Sequence, residues 1–356
     1  MSPLDFDVSG SPARIVFGRG ARARTPEILA EIGATRALVL STEAQKEAAD
    51  EFACSLGKSC LGVFAGAVMH TPVEATEAAM EIVRDQRVDC VVAFGGGSTV
   101  GLSKAIAWRT DLPQVALPTT YAGSEVTNIL GQTENGAKTT LKSPKVIPEV
   151  VIYDAELTLT LPVAMSVTSG LNALAHAVEA LYARDRNPLS NLAAAEGARA
   201  IVEALPRIAE NPADIDARER AFCGSWLCGT VLGQVGMALH HKLCHTLGGL
   251  FDLPHAETHT IVLPYATAYN AAAVPELLAP LSAALGGGDP GEALWSLAGK
   301  LGAPRSLESI GMPADGIAKA AEEAAANPYW NPRPVERAPI EALIRAAFKG
   351  ERPTRI

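Results

Sequence analysis

Short apolar runs alternate with helix-spaced segments along the first 157 residues. ATRALVLST (34–42) is an apolar run ending in polar residues and predicts a buried strand. TPVEATEAAMEIVRDQR (71–87) repeats apolar residues at helical spacing, with Thr71 and Pro72 as a helix start. VDCVVAFGGGST (88–99) predicts a strand running into a glycine turn, and VGLSKAIAW continues as a helix. QVALPTT (114–120) and EVVIYD (149–154) predict further strands. Strands that alternate with helices imply a parallel sheet covered by helices, an α/β nucleotide-binding half over 1–157. Beyond it the period becomes helical throughout. LPVAMSVTSGLNALAHAVEALYA, LSNLAAAEGARAIVEALPRIAE, ERAFCGSWLCGTVLGQVGMALHHKLCHTL and GEALWSLAGKLG predict an all-α half over 158–356. ALGGGDPGEA (284–293) reads as a loop, and NPYWNPRPVERAP (327–339) is too rich in proline for regular structure.

A chain of 356 residues with 48% hydrophobic and 19% charged side chains can bury two cores. Its 30 basic and 39 acidic residues leave a net charge of −9 without a long Lys/Arg run, which argues against a nucleic-acid partner. The opening MSPLDFDVSG lacks the basic-then-apolar pattern of a secretory signal. No apolar run reaches the roughly 18 residues that suggest a membrane span. Cys54, Cys60, Cys90, Cys223, Cys228 and Cys244 form no CxxC pair. Free thiols in the cytoplasm are therefore expected, with no membrane partner.

Two loops are candidates for phosphate chemistry. FGGGSTVGLSK (94–104) lies between a predicted strand and a predicted helix. Glycines allow close approach to a ligand, and a helix N-terminus suits a pyrophosphate. The stretch is not a G-x-G-x-x-G match, and a turn needing glycine for geometry alone is the alternative. LPTTYAGSEVTN (117–128) places hydroxyls after the next strand, where ligands sit in open parallel sheets; alone it reads equally well as an ordinary Ser/Thr-rich loop.

Five of the seven histidines fall within HHKLCHTLGGLFDLPHAETH (240–259). His241 and His245 are spaced i, i+4, and His255 follows a Leu-Pro turn. Upstream, Asn172 and His176 in SGLNALAHAVEA repeat the i, i+4 spacing, which puts them on one helix face. Imidazoles bind metals or move protons, and so many in twenty residues argue against packing alone.

GGGS after a strand, PTT–GSE, N-A-L-x-H, then H-x-x-x-H with a further His fourteen residues after the first: this ordered set resembles the iron-containing (group III) alcohol dehydrogenases over nearly the whole chain. The resemblance implies a Rossmann-like N-terminal domain, an all-α C-terminal domain, and a nicotinamide cofactor meeting its substrate between them. Metal-bearing members of the family hold iron or zinc with four side chains, at positions matching Asn172, His176, His241 and His255. The first is an aspartate in those relatives. An amide is a weak, uncharged donor, although three histidines can still hold zinc. Gly101 stands where the family's GGGS-x-x-D carries aspartate, and Tyr121 lies within PTTYAGSE. With HHKLCHTLGG, LPHAETH and NPYWNPRP, these departures resemble the maleylacetate-reducing subgroup, which saturates a carbon–carbon double bond in aromatic catabolism. The expectation is a metal-free site, NADH or NADPH as reductant, a dicarboxylate substrate and a homodimer.

That resemblance assigns roles. His241, His245, His176 and His255 line the pocket as hydrogen-bond or proton donors, with the donor itself left open. Lys242 attracts a substrate carboxylate, or is a solvated helix lysine. His240 and His259 stand behind these, and His70 lies on a loop. Gly96, Gly97 and Ser98 hold the pyrophosphate with Thr119, Thr120 and Ser124 nearby, and Lys138 approaches the nicotinamide ribose. Ser41 and Thr42 replace the carboxylate that would repel a 2′-phosphate. Three rivals remain: a metal-dependent alcohol or polyol dehydrogenase, a redox-sensing nucleotide binder, and a lyase on a dehydroquinate-synthase-like architecture.

Overall fold

The computed structural model describes residues 13–134 and 137–354, with the side chains of Ala137 and Lys138 outside that description. The chain divides into two compact units, which meet in sequence at Leu161 and Pro162. The expected boundary at 157 falls inside the short 3-10 turn Ala155–Thr158.

The first unit holds the strands β1 (Arg14–Phe17), β2 (Ala37–Leu40), β3 (Cys60–Phe64), β4 (Cys90–Gly95), β5 (Gln114–Pro118) and β8 (Val150–Tyr153), in one sheet ordered β1-β8-β5-β4-β2-β3. Every pairing in it is parallel. A separate antiparallel hairpin joins β6 (Ile129–Glu134) to β7 (Ala137–Lys142). The helices α1 (Thr25–Glu31) and α2 (Lys46–Ser55) cover one face of the sheet, and α3 (Val73–Asp85) and α4 (Gly97–Thr110) the other. The four inner strands β2, β4, β5 and β8 are buried along their whole length because both faces of the sheet are covered. Ala37 and Val39 of β2 pack toward α1 and α2, while Leu38 and Leu40 pack toward α3 and α4. From β2 the chain moves outward to β3, then returns to lay β4 on β2's other side. That reversal of strand order is where ligands bind in open parallel sheets, beyond the carboxyl ends of the strands. Ser41 follows β2, Gly96 follows β4 and Thr119 follows β5, all at that end.

The second unit is helical among its described residues: α5 (Val163–Tyr182), α6 (Pro188–Glu210), α7 (Ile215–Gln234), α8 (Leu239–Phe251), α9 (His255–Ala271), α10 (Ala279–Ala284), α11 (Pro290–Lys300), α12 (Gly316–Ala326) and α13 (Arg337–Lys349). All of α5 from Ser166 to Tyr182 is buried, so this helix is the unit's axis. One apolar core joins α5 to α6 and α7, and a second joins α8, α9, α12 and α13.

Two expectations need correction. The run 219–247 reads as one helical stretch, yet α7 and α8 are separate and bent by 90° at residues 235–238. The apolar period continues across the break, so periodicity could not reveal it. What stops the helix is tertiary, an acceptor on α5 described below. The proline-rich 327–339 is irregular only to Glu336, because α13 begins at Arg337. No single helix among the described residues is long and apolar enough to cross a membrane. The six cysteines are free.

Candidate active site

At the reversal point of the sheet, Gly96 is the N-cap of α4, and Gly97 and Ser98 form its first turn. A Cβ on Gly96 would lie 2.8 Å from Cγ2 and 2.9 Å from Oγ1 of Thr120, so the two loops approach too closely for any side chain there. Gly97 is close to Ser124, whose Oγ would stand 4.0 Å from a Cβ at that position. Thr119 Oγ1 accepts from Gln45 Nε2 at 3.0 Å, which ties the loop after β5 to the one after β2. The Oγ atoms of Thr99 and Ser124 are buried without a hydrogen-bond partner. Unsatisfied hydroxyls beside a helix N-terminus suit a phosphate.

This loop is supported from behind. Lys104 is fully buried, and its Nζ donates to the carbonyls of Ser124 (2.7 Å), Thr127 (2.7 Å) and Ile129 (3.0 Å) and to Thr127 Oγ1 (2.8 Å). Burial draws its pKa down to about 7, against the opposing pull of Glu125. Glu125 is also buried, with its carboxyl pKa raised by desolvation, and accepts from Tyr153 OH at 2.7 Å. Ser41 is buried and donates to the Thr42 carbonyl at 3.2 Å, while Thr42 bridges to Gly66 through its backbone. The backbone of Lys138 pairs with Thr133, and its side chain lies outside the described residues. At Gly101 a Cβ would lie 2.3 Å from Thr71 Oγ1. Thr71, buried and at φ 47°, fills the room that an aspartate at 101 would need.

In the helical unit, α5 presents Asn172, His176 and Glu179 on successive turns of one face. Glu179 was not among the expected residues, and it organises the cluster. Its Oε2 accepts from the backbone N–H of Ala238 at 2.7 Å and from His241 Nδ1 at 2.8 Å, and its Oε1 from the N–H of His240 at 2.6 Å. A buried carboxylate thus satisfies the free N–H groups at the start of α8 and neutralises the positive end of that helix. This is the acceptor that makes the break at 235–238 favourable. It also fixes His241. With its Nδ1 hydrogen donated to the carboxylate, the ring turns Nε2 away from Glu179, the arrangement seen where a carboxylate orients a metal-ligating histidine.

Around that pair the imidazoles crowd together. His176 and His241 have ring centroids 5.3 Å apart, His241 and His259 5.1 Å, and His255 and His259 4.3 Å. His240 Nε2 and His259 Nδ1 share a hydrogen bond of 3.0 Å, and Cys244 Sγ lies 3.6 Å from the same Nε2. Burial holds the pKa values of His176, His240 and His259 well below the usual histidine value, and neighbouring imidazoles add to the effect. These rings are neutral. Asn172 Oδ1, His176 Nδ1, His241 Nε2, His240 Nδ1 and His259 Nε2 are all buried without a partner. Such groups cost roughly 1–3 kcal/mol each when left unsatisfied, so their concentration marks a ligand site.

His245 and His255 are exposed, unlike the other histidines of the cluster. His245 Nδ1 lies 3.1 Å from the hydroxyl of Tyr329, and Lys242 Nζ stands 5.9 Å from the centre of that tyrosine's ring. Lys242 is itself almost buried, which removes the reading of a freely solvated lysine. Tyr329 and Glu179 went unassigned in the sequence. Glu179 was detectable as the i+3 partner of His176; Tyr329 carried no periodic signal.

The donors at 172, 176 and 241 are unsatisfied and Glu179 orients one of them, which suits a cation in hydrogen-bonding terms. The set supplies no charged ligand, which weakens it for a transition metal.

Comparison with known families and structures places both units. Residues 12–155 match the family model described as iron-containing alcohol dehydrogenase, and residues 166–348 its C-terminal counterpart. The chain is 60% identical to a maleylacetate reductase of Rhizobium sp. (strain MTP-10005), covering 98% of this chain and 99% of that protein. It is 55% identical to one from Sphingobium indicum, with 98% of each chain covered. The crystal structure of maleylacetate reductase from Agrobacterium tumefaciens matches with a TM-score of 0.94 at 59% identity, covering 98% of this chain and 99% of the other. A 1,3-propanediol oxidoreductase matches with a TM-score of 0.90 at 27% identity over 96% of this chain and all of the other. With both units accounted for, the chain belongs to the iron-containing alcohol dehydrogenase family.

Proposed function

We propose that this enzyme is a maleylacetate reductase, which uses NADH or NADPH to reduce the carbon–carbon double bond of maleylacetate to 3-oxoadipate in the breakdown of aromatic compounds. The observation that carries the reading is the 60% identity, over essentially the full length, to a protein of that name. The fold's two halves divide the work, with 1–157 binding the nucleotide and 158–356 carrying the chemistry. Gly96, Gly97, Ser98, Thr119, Thr120 and Ser124 take the pyrophosphate, and Ser41 and Thr42 accept either adenosine ribose. Lys138 is assigned to the nicotinamide ribose.

The substrate's alkene is conjugated to a ketone, so hydride from the nicotinamide adds at the carbon β to it. The electron pair moves onto the ketone oxygen as an enolate. Preorganised N–H donors stabilise that charge, and one proton delivered to the α carbon completes the reduction. Lys242 draws a carboxylate of the substrate. If a divalent cation is bound, Asn172, His176, His241 and His255 would hold it, and it would polarise the ketone oxygen. An enolate is easier to stabilise than the alkoxide of alcohol oxidation, and the amide at 172 withholds the charge a tight site needs. We therefore assign turnover to the imidazoles and expect a homodimer that works without a resident metal.

NADH absorbance followed with maleylacetate, before and after dialysis against a chelator, tests this reading. The expected outcome is turnover that the chelator leaves within about twofold, and Asn172→Asp should raise the metal content of the purified protein. Stoichiometric iron or zinc whose removal abolishes activity would instead support a metal-dependent alcohol or polyol dehydrogenase.

A further inference from the structure

Building on that proposed reaction, we infer that His245 is the residue that delivers the proton to the substrate carbon, and that Tyr329 is the positioning residue that charges it. Access makes the first selection. His176, His240, His241 and His259 are each at most 4% exposed, whereas His245 and His255 reach the surface of the helical unit. These two rings offer a substrate the most open surface of the cluster.

Hydrogen bonding makes the second. A phenol is a stronger donor than a neutral imidazole N–H, and an imidazole nitrogen is a stronger acceptor than a phenol oxygen. The 3.1 Å contact therefore runs from Tyr329 O–H to His245 Nδ1, which leaves the ring hydrogen on Nε2. His241, one turn away on the same helix, is set in the opposite sense, with its Nδ1 hydrogen donated to Glu179. His255 opens α9, and the positive end of a helix disfavours a proton arriving on its ring.

Tyr329 is held firmly for this task. Two residues on, Asn331 and Asn270 exchange amide hydrogen bonds of 2.8 Å in both directions. Asn331 also accepts from the N–H of Leu239 at 3.4 Å and donates to the Arg333 carbonyl at 2.7 Å. The Arg333 guanidinium lies 4.0 Å from the centre of the Tyr269 ring, and Tyr269 OH donates to the Pro334 carbonyl at 2.6 Å. The segment that carries the phenol is thus fastened to α9 and to the first turn of α8. Burial, and the charge of Glu179, raise the Tyr329 pKa and keep the phenol protonated.

The step balances. Hydride from the nicotinamide forms the new C–H bond at the β carbon, oxidising the cofactor and reducing the alkene. The enolate pair then takes the hydrogen of His245 Nε2 at the α carbon. His245 Nδ1 takes the hydrogen of Tyr329 as Nε2 loses its own; water then reloads Nε2 and Nδ1 returns its hydrogen to the phenolate, leaving both residues as they began.

Tyr329→Phe tests this in the full-length enzyme, because the ring and its packing stay while the hydroxyl is lost. The expected result is a kcat lower by about 10²-fold, the scale of general acid catalysis, with KM for maleylacetate within about threefold. The solvent deuterium isotope effect should grow and the isotope effect from deuterated NADH should shrink, since protonation becomes limiting. Nitrogen-15 NMR of the histidines should show His245 with hydrogen on Nε2 in the parent and a mixture of tautomers in the variant. A variant with kcat within twofold and unchanged isotope effects would overturn the assignment, as would hydrogen on Nδ1 of His245 in the parent. If the parent enzyme does not oxidise NADH with maleylacetate, the proposed reaction fails, while the NMR result still decides the His245–Tyr329 pair.

Discussion

Both units bury a cluster of polar groups, and the two clusters differ in how completely they are satisfied. Around Lys104 four oxygen atoms surround a single ammonium group. In the histidine cluster Glu179 is saturated with donors, yet five ring or amide atoms around it have none. A complete network rigidifies the backbone that carries it; an incomplete one is costly unless something else binds. Lys104 is therefore part of the scaffold behind the loop after β5, whereas the histidine cluster is left open to a ligand that would complete it. Thr99 and Ser124 extend the same logic, since the loop that Lys104 braces ends in unpartnered hydroxyls.

Removing the one saturated member of the histidine cluster should have the largest effect. Glu179→Ala leaves the N–H groups of Ala238 and His240 and the Nδ1 of His241 without an acceptor, a loss of about 3 kcal/mol or more. Activity should fall by about 10²-fold with it, since His241 loses its orientation. Urea unfolding and steady-state kinetics measure both, and a variant as stable as the parent would show that the carboxylate is not what holds α8 in place. Lys104→Met should come next, at about 2–3 kcal/mol for the stranded carbonyls. The KM for NADH should rise several-fold while kcat at saturating cofactor changes little. A loss confined to kcat would mean that Lys104 belongs to the chemistry after all.

The smallest effect is on acid stability. The folded pKa values of His176, His240 and His259 lie below the unfolded value of about 6.5. Between about pH 6.5 and 5 the unfolded chain binds protons that the native cluster refuses, so stability falls as pH falls through that window. The urea midpoint should be lower at pH 5.5 than at pH 8, and His240→Gln with His259→Gln should flatten the difference. An equal slope in parent and double variant would place the acid sensitivity elsewhere.

Several of these elements were legible from residue pattern alone. The strands at 37–40, 90–95, 114–118 and 150–153 fall inside apolar runs marked by their lack of charge. The glycine turn announced itself by composition. The edge strand β1 and the hairpin of β6 and β7 did not, because their residues mix polar and apolar types without a clean period. The join between α7 and α8 was hidden for the opposite reason, a period that runs through the break.

Local period and residue type were enough to show the two kinds of domain, and the order and spacing of the motifs carried the family resemblance, which in turn implied which histidines gather near one another. Which of those histidines is accessible, which nitrogen of each carries hydrogen, and which carboxylate orients them depended on the packed chain. His241 and Glu179 are 62 positions apart, and His245 and Tyr329 are 84. Pairings of that separation have no signature along the chain, since only the packing of α5, α8 and the segment before α13 brings the partners within hydrogen-bonding distance.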